Sequence, residues 1–60
     1  MNNRTFVMSN RFIVLFLDDK DRLHAIEDGK DNIKKFSGIK AAEKAAYRLP
    51  QHISWTIREL

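Results

Sequence analysis

Sixty residues with eleven basic and eight acidic side chains, a net charge of +3, make one domain at most. A chain this short buries only about 60% of the surface its unfolded state exposes, which leaves little interior for a reaction pocket. The absence of cysteine excludes disulfides and a catalytic or zinc-binding thiolate. Two histidines are too few for a His-only metal site.

The opening "MNNRTFVMSNRF" lacks a signal peptide's order of charged start, long apolar segment and small-residue cleavage site. The longest apolar run, "FIVLFL", has six residues, far short of the roughly 18 of a membrane span. A soluble, cytoplasmic protein is expected. Met8 begins "MSNRF" just before the first strong strand, so residues 1–10 read as an N-terminal extension, flexible or added as an edge segment. Residues 11–60 then form a single α+β domain.

"RFIVLFL" (11–17) is rich in β-branched and aromatic residues and runs into the acidic cluster "DDKD". "RLHAIE" (22–27) follows, then the breaker "DGKDN", so the segment predicts a β-hairpin. A two- or four-residue loop centred on Asp19-Lys20 sets Phe16 beside Leu23 and Val14 beside Ala25. That register leaves Ile13, Leu15, Leu17, Arg22, His24 and Ile26 together on the other face. Residues 28–36 connect to a helix, with Ile33 and Phe36 as anchors.

The helix is expected over residues 37–49. Ser37 can accept a bond from a first-turn amide, Phe36 can staple onto Ala41, and Pro50 ends the segment. At 100° per residue Ile39, Ala42, Ala45, Ala46 and Leu49 form one buried stripe. "ISWTIREL" (53–60) alternates, with Ile53, Trp55 and Ile57 on one face, and reads as a half-buried strand in which Trp55 is largely buried against the helix. The element order is β-β-α-β. A three-stranded antiparallel sheet of order 2-1-3, with one helix packed on one face, puts "FIVLFL" in the centre and explains why it alone is apolar on both sides. Apart from an echo of "NNRTF" in "SNRFI", no internal repeat or low-complexity segment stands out.

Charge is distributed unevenly. Residues 1–29 carry four basic and five acidic side chains, whereas residues 30–60 carry seven basic and three acidic ones. The excess in the second half suggests an anionic partner. Lys40, Lys44 and Arg48 fall at i, i+4, i+8, a single ridge opposite the buried stripe, with Tyr47 exposed beside it. Lys34 and Lys35 extend the charge past the helix start, where acidic residues are normally favoured. Free amides near Ser37 and Gly38 would add to the attraction for a phosphate or carboxylate. Lys34, Lys35, Lys40, Lys44, Tyr47 and Arg48 are therefore the candidate partner- or anion-binding residues. A single helix covers one side of the sheet only, so Ile13, Leu15 and Ile26 are candidates for a hydrophobic interface.

Catalytic and metal chemistry find little footing. Asp18, Asp19 and Asp21 lack the glycine and glutamate spacing of an EF-hand loop and read as a solvated turn. His24 and His52 have no serine in a nucleophile-elbow pattern to activate, and two glycines cannot build a phosphate-cradling loop. The expectation is a protein that is not an enzyme, with no cofactor, no metal and no membrane association.

A hairpin followed by "FSGIKAAEKAAYRL" and a short tryptophan-bearing strand resembles small orphan proteins encoded by phages and prophages, over roughly residues 11–60. The resemblance implies docking onto, and inhibition of, a host protein or nucleoprotein complex in the host cytoplasm. The layout is also similar to the three-stranded DNA-binding domains of phage integrases, which read DNA with the sheet. Here Ile13, Leu15 and Leu17 occupy that face in place of polar residues. A nucleic-acid-binding module using the Lys40, Lys44 and Arg48 ridge, or a structural homodimer, are the alternatives.

Overall fold

The computed structural model describes residues 11–60; the extension expected over residues 1–10 lies outside the described residues. Three strands, β1 (Phe12–Leu17), β2 (Leu23–Ala25) and β3 (Trp55–Glu59), and one helix, α1 (Ile39–Ala46), follow the order β1-β2-α1-β3. The sheet is antiparallel with order β2-β1-β3, so the all-apolar strand is central as expected. A central strand meets neighbours on both edges, and the branched residues Ile13 and Val14 suit that pleated, enclosed position.

The helix lies over β1 and β3 and leaves β2 uncovered. Its alanines set the distance. Ala42 and Ala46 are fully buried above Val14, and Phe12 and Phe36 complete the core. Ile26, Ala45, Leu49, Trp55 and Ile57 pack around it half-buried. Phe36 is held by backbone as well as by packing, exchanging two hydrogen bonds with Phe12 at 2.8 and 2.9 Å. Fully burying a side chain such as Val14 contributes roughly 1.5–3 kcal/mol, and with so few fully buried groups each one matters.

The hairpin register differs from the expected one by a single residue. Phe16 faces His24, Leu15 faces Ala25 and Leu17 faces Leu23, and Ile26 donates its N–H to the Val14 carbonyl. A one-residue slip exchanges the faces of a strand. His24 and Ile26 therefore lie on the helix side, and Leu23 and Ala25 on the other. The cause is the turn. Asp18 N–H bonds the Arg22 carbonyl, Asp21 N–H bonds the Asp18 carbonyl, and Asp21 adopts φ 61°. This is a three-residue loop closed by a left-handed residue, which a two- or four-residue loop does not reproduce.

The helix is shorter than expected. Gly38, with an extended φ of −152°, is its N-cap, and no side chain caps it, so Ser37 does not play that part. At the other end the Arg48 and Leu49 amides bond the carbonyls of Ala45 and Ala46, three residues back. The coil tightens because the residue before a proline, here Leu49, disfavours helical backbone. Ile39 is 51% exposed and drops out of the expected stripe. Ala41 is exposed as well, and Phe36 packs with Ala42 and Ala46 in its place. Trp55 is half-buried, less than its expected burial.

Candidate functional site

Three surfaces follow from this architecture. The first is the outer face of α1. Lys40, Lys44 and Arg48 are exposed along one ridge, and Tyr47 is 71% exposed with its ring meeting Trp55 edge-on, centroids 5.4 Å apart. The first turn of α1 contains no acidic residue. Lys34 and Lys35 are exposed in the preceding segment, and the Lys34 ammonium lies 5.7 Å from the centre of the Phe36 ring. Among the described residues, ion pairs occur only around the 18–22 turn. None of Lys34, Lys35, Lys40, Lys44 and Arg48 takes part in one.

The second surface is a groove that sequence reasoning missed. Because α1 sits over β1 and β3, an open channel of about 810 Å³ runs between the helix end and β2. Phe16, Ile26, Ala45 and Leu49 line it, and two cations, Lys34 and Arg48, border it together with one carboxylate, Glu27. The fold thus brings Lys34 and Arg48 to one site, together with Ile26, and leaves Lys35, Lys40, Lys44 and Tyr47 outside it. The only sequence signal for the groove was indirect: an alanine at 45 where a larger residue would have filled the space.

The third surface is the sheet face opposite the helix. Leu15, Leu17 and Leu23 share it by register, with Thr56 and Ser54 from β3 and the chain before it. Leu23 is 65% exposed and Leu17 36%. Two of the expected members of this patch are placed differently. Ile13 is on this face but only 8% exposed, and Ile26 belongs to the helix side.

The acidic turn is organised for structure. One Asp18 oxygen accepts from the Lys20 and Arg22 amides at 2.8 and 2.9 Å, and the other lies 2.8 Å from His24 Nε2 and 3.1 Å from Arg22 Nε. The Arg22 amide bond, then the His24 contact, hold the Asp18 carboxyl down at about 2 against an ordinary 3.8. The His24 ring also stacks on Phe16, centroids 5.4 Å apart. His52 Nε2 reaches Asp19 at 3.0 Å across 33 residues, tying the turn to the α1–β3 connection. Among the described residues no hydroxyl is hydrogen-bonded to either imidazole, and no cluster of ligands could hold a metal ion. This arrangement can fix a turn, and among the described residues it positions no nucleophile.

No protein-family model matches this chain, and no curated protein and no solved structure is significantly similar to it.

Proposed function

We propose that this chain is a non-enzymatic interaction protein that docks on a macromolecular complex of a host cell and inhibits it. The observation that carries the reading is the pairing of unlike surfaces at one place. Lys34 and Arg48, without ionic partners among the described residues, border a groove lined by Phe16, Ile26, Ala45 and Leu49. A protein segment with an apolar side chain flanked by carboxylates satisfies both features at once. The ammonium and guanidinium groups are solvated in the free protein, so their pairing adds selectivity and speeds encounter more than it adds affinity. The apolar anchor supplies the affinity. The ridge of Lys40 and Lys44 widens the positive surface, and Leu15, Leu17 and Leu23 offer a second contact on the far side of the sheet. An open groove does not exclude water from a reacting centre, which favours binding over catalysis. The resemblance to small phage-encoded proteins points to a target in the host cytoplasm.

The test is capture of partners from a host extract, with and without nuclease, by the native chain and by Lys34→Glu/Arg48→Glu. A protein captured after nuclease treatment and lost with the double variant supports the reading; equal capture by both chains sinks it. The Lys40, Lys44 and Arg48 ridge favours a second reading, nucleic-acid binding. Three phosphate contacts predict a slope of log K against log salt of about −2 to −3, falling towards zero when all three are replaced by Gln. Absence of duplex and single-strand binding at low salt removes that reading.

A further inference from the structure

The two edges of the sheet are finished differently. On the β2 side the strand is three residues long. Its continuation is closed by the Glu27–Ile33 bridge and by the Lys34 N–H on the Ile26 carbonyl at 2.8 Å. On the β3 side five residues run without proline, bulge or positive φ. The Leu17 N–H bonds the Ser54 carbonyl, and the Leu60 N–H bonds the Arg11 carbonyl. Residues 54, 56, 58 and 60 thus turn their backbone groups toward β1. By alternation Trp55, Ile57 and Glu59 direct theirs outward, and nothing among the described residues pairs with them. An edge left this way is a template for another strand. Half-exposed apolar groups accompany it. Trp55 and Ile57 are partly buried, Tyr47 stands against Trp55, and Ile39 lies on the same i, i+4, i+8 row of α1 as Tyr47.

We propose that two copies of this chain pair antiparallel through β3, on a two-fold axis at Thr56, to form one continuous sheet. The occupant is a second copy because the strand is self-complementary in that register. Trp55 faces the second copy's Ile57, and the two residues exchange both backbone bonds, an aromatic and β-branched pair of the kind that stabilises sheets. Thr56 faces its own symmetry mate, and Ser54 faces the second copy's Arg58. Centring the axis one residue further on, at Ile57, sets Trp55 against Glu59 and brings the two arginines diagonally together. The axis is perpendicular to the sheet, so both helices fall on one side with their Ile39 and Tyr47 rows facing across the interface. A chain of this length gains stability from association that its own core does not supply. The groove between α1 and β2 lies at the other edge and stays open in the dimer.

The chain contains no cysteine, so Thr56→Cys places a single thiol on the proposed axis. A non-hydrogen-bonded antiparallel pair holds its Cα atoms about 4.5 Å apart, within disulfide reach. Mild oxidation should give a covalent dimer with unchanged circular dichroism. In the native chain, sedimentation should show a concentration-dependent dimer, and hydrogen exchange at the Trp55, Ile57 and Glu59 amides should slow as the dimer forms. Thr56 is exposed, so Thr56→Lys should fold and shift the protein to monomer, whereas Leu15→Lys should leave the dimer in place. A native chain that stays monomeric at millimolar concentration overturns the proposal. So does a dimer that survives Thr56→Lys but is lost with Leu15→Lys, since that outcome assigns the interface to the sheet face. If Thr56→Lys fails to fold, the cysteine cross-link and the three amides decide: both positive support the edge dimer, and failure of either rejects it.

Discussion

Two turns, residues 18–22 (DDKDR) and 28–32 (DGKDN), start from nearly the same sequence and end in different roles. In each, the first aspartate N–H bonds the carbonyl four residues on at 2.9 Å, and its carboxylate accepts from the lysine amide two residues on. The aspartate in the second-to-last position is left-handed in both, φ 61° at Asp21 and 63° at Asp31. The pattern D-x-K-D recurs ten residues apart, too short to stand out as a repeat in the sequence, and its recurrence has a physical basis: Asp closes a turn on itself and tolerates positive φ. The interiors differ. Gly29 takes φ 92°, which Asp19 at the matching position does not. The surroundings differ more. Asp18 also holds Arg22 and His24, and Asp19 holds His52, whereas among the described residues Asp28 receives only the turn's own backbone. The first turn joins two paired strands; the second closes a single bridge between Glu27 and Ile33. Local chemistry builds the turn, and its side-chain partners decide what the turn holds.

The comparison is broken most directly at its first residue. Asp18→Ala should lower the melting midpoint clearly more than Asp28→Ala, because it removes the acceptor of two amides and two side chains at once. Thermal unfolding of the two variants side by side measures this, and equal losses would show that the extra partners of Asp18 are idle. The same carboxylate sets an acid dependence. Its pKa is depressed from 3.8 to about 2 in the folded chain, so its contribution is present above about pH 4 and is lost as the pH falls through 2. Asp18→Asn should lack this dependence, and its stability should converge on that of the native chain in that window.

Gly29→Ala is the next largest effect. Among the described residues nothing lies within 4 Å of a Cβ added at Gly29, so the resistance comes from the backbone. Holding a left-handed conformation with a side chain costs roughly 1–2 kcal/mol. Asp19→Ala at the matching position carries no such strain and loses only an exposed contact with His52. It should therefore cost less than about 1 kcal/mol, as should His52→Ala. Denaturant titration separates the two positions, and a glycine variant as stable as the native chain would show that the second turn readjusts freely.

Much of the fold was legible because it rests on short-range pattern. The β-branched and aromatic run "FIVLFL", apolar on both sides, read as a central strand, the 42/45/46/49 spacing as a helical stripe, and Pro50 as its bound. The β-β-α-β order and the central place of β1 follow from these. The hairpin register was not legible, because it depends on the left-handed Asp21 and on an Asp18 carboxylate satisfied by residues up to six positions away.

The candidate cations were readable as a helical ridge, since i, i+4, i+8 spacing is a property of the helix alone. The meeting of Lys34 with Arg48 was not, since it requires α1 to sit over β1 and β3 and to leave β2 bare. The edge of β3 that no described residue pairs with likewise emerges only once the register with β1 assigns its alternate amides inward. Sequence alone determined which residues are apolar, which are charged, and with what period each repeats. Tertiary structure decided which of them face one another, because a one-residue change of register or a sideways placement of one helix exchanges neighbours without altering any local preference.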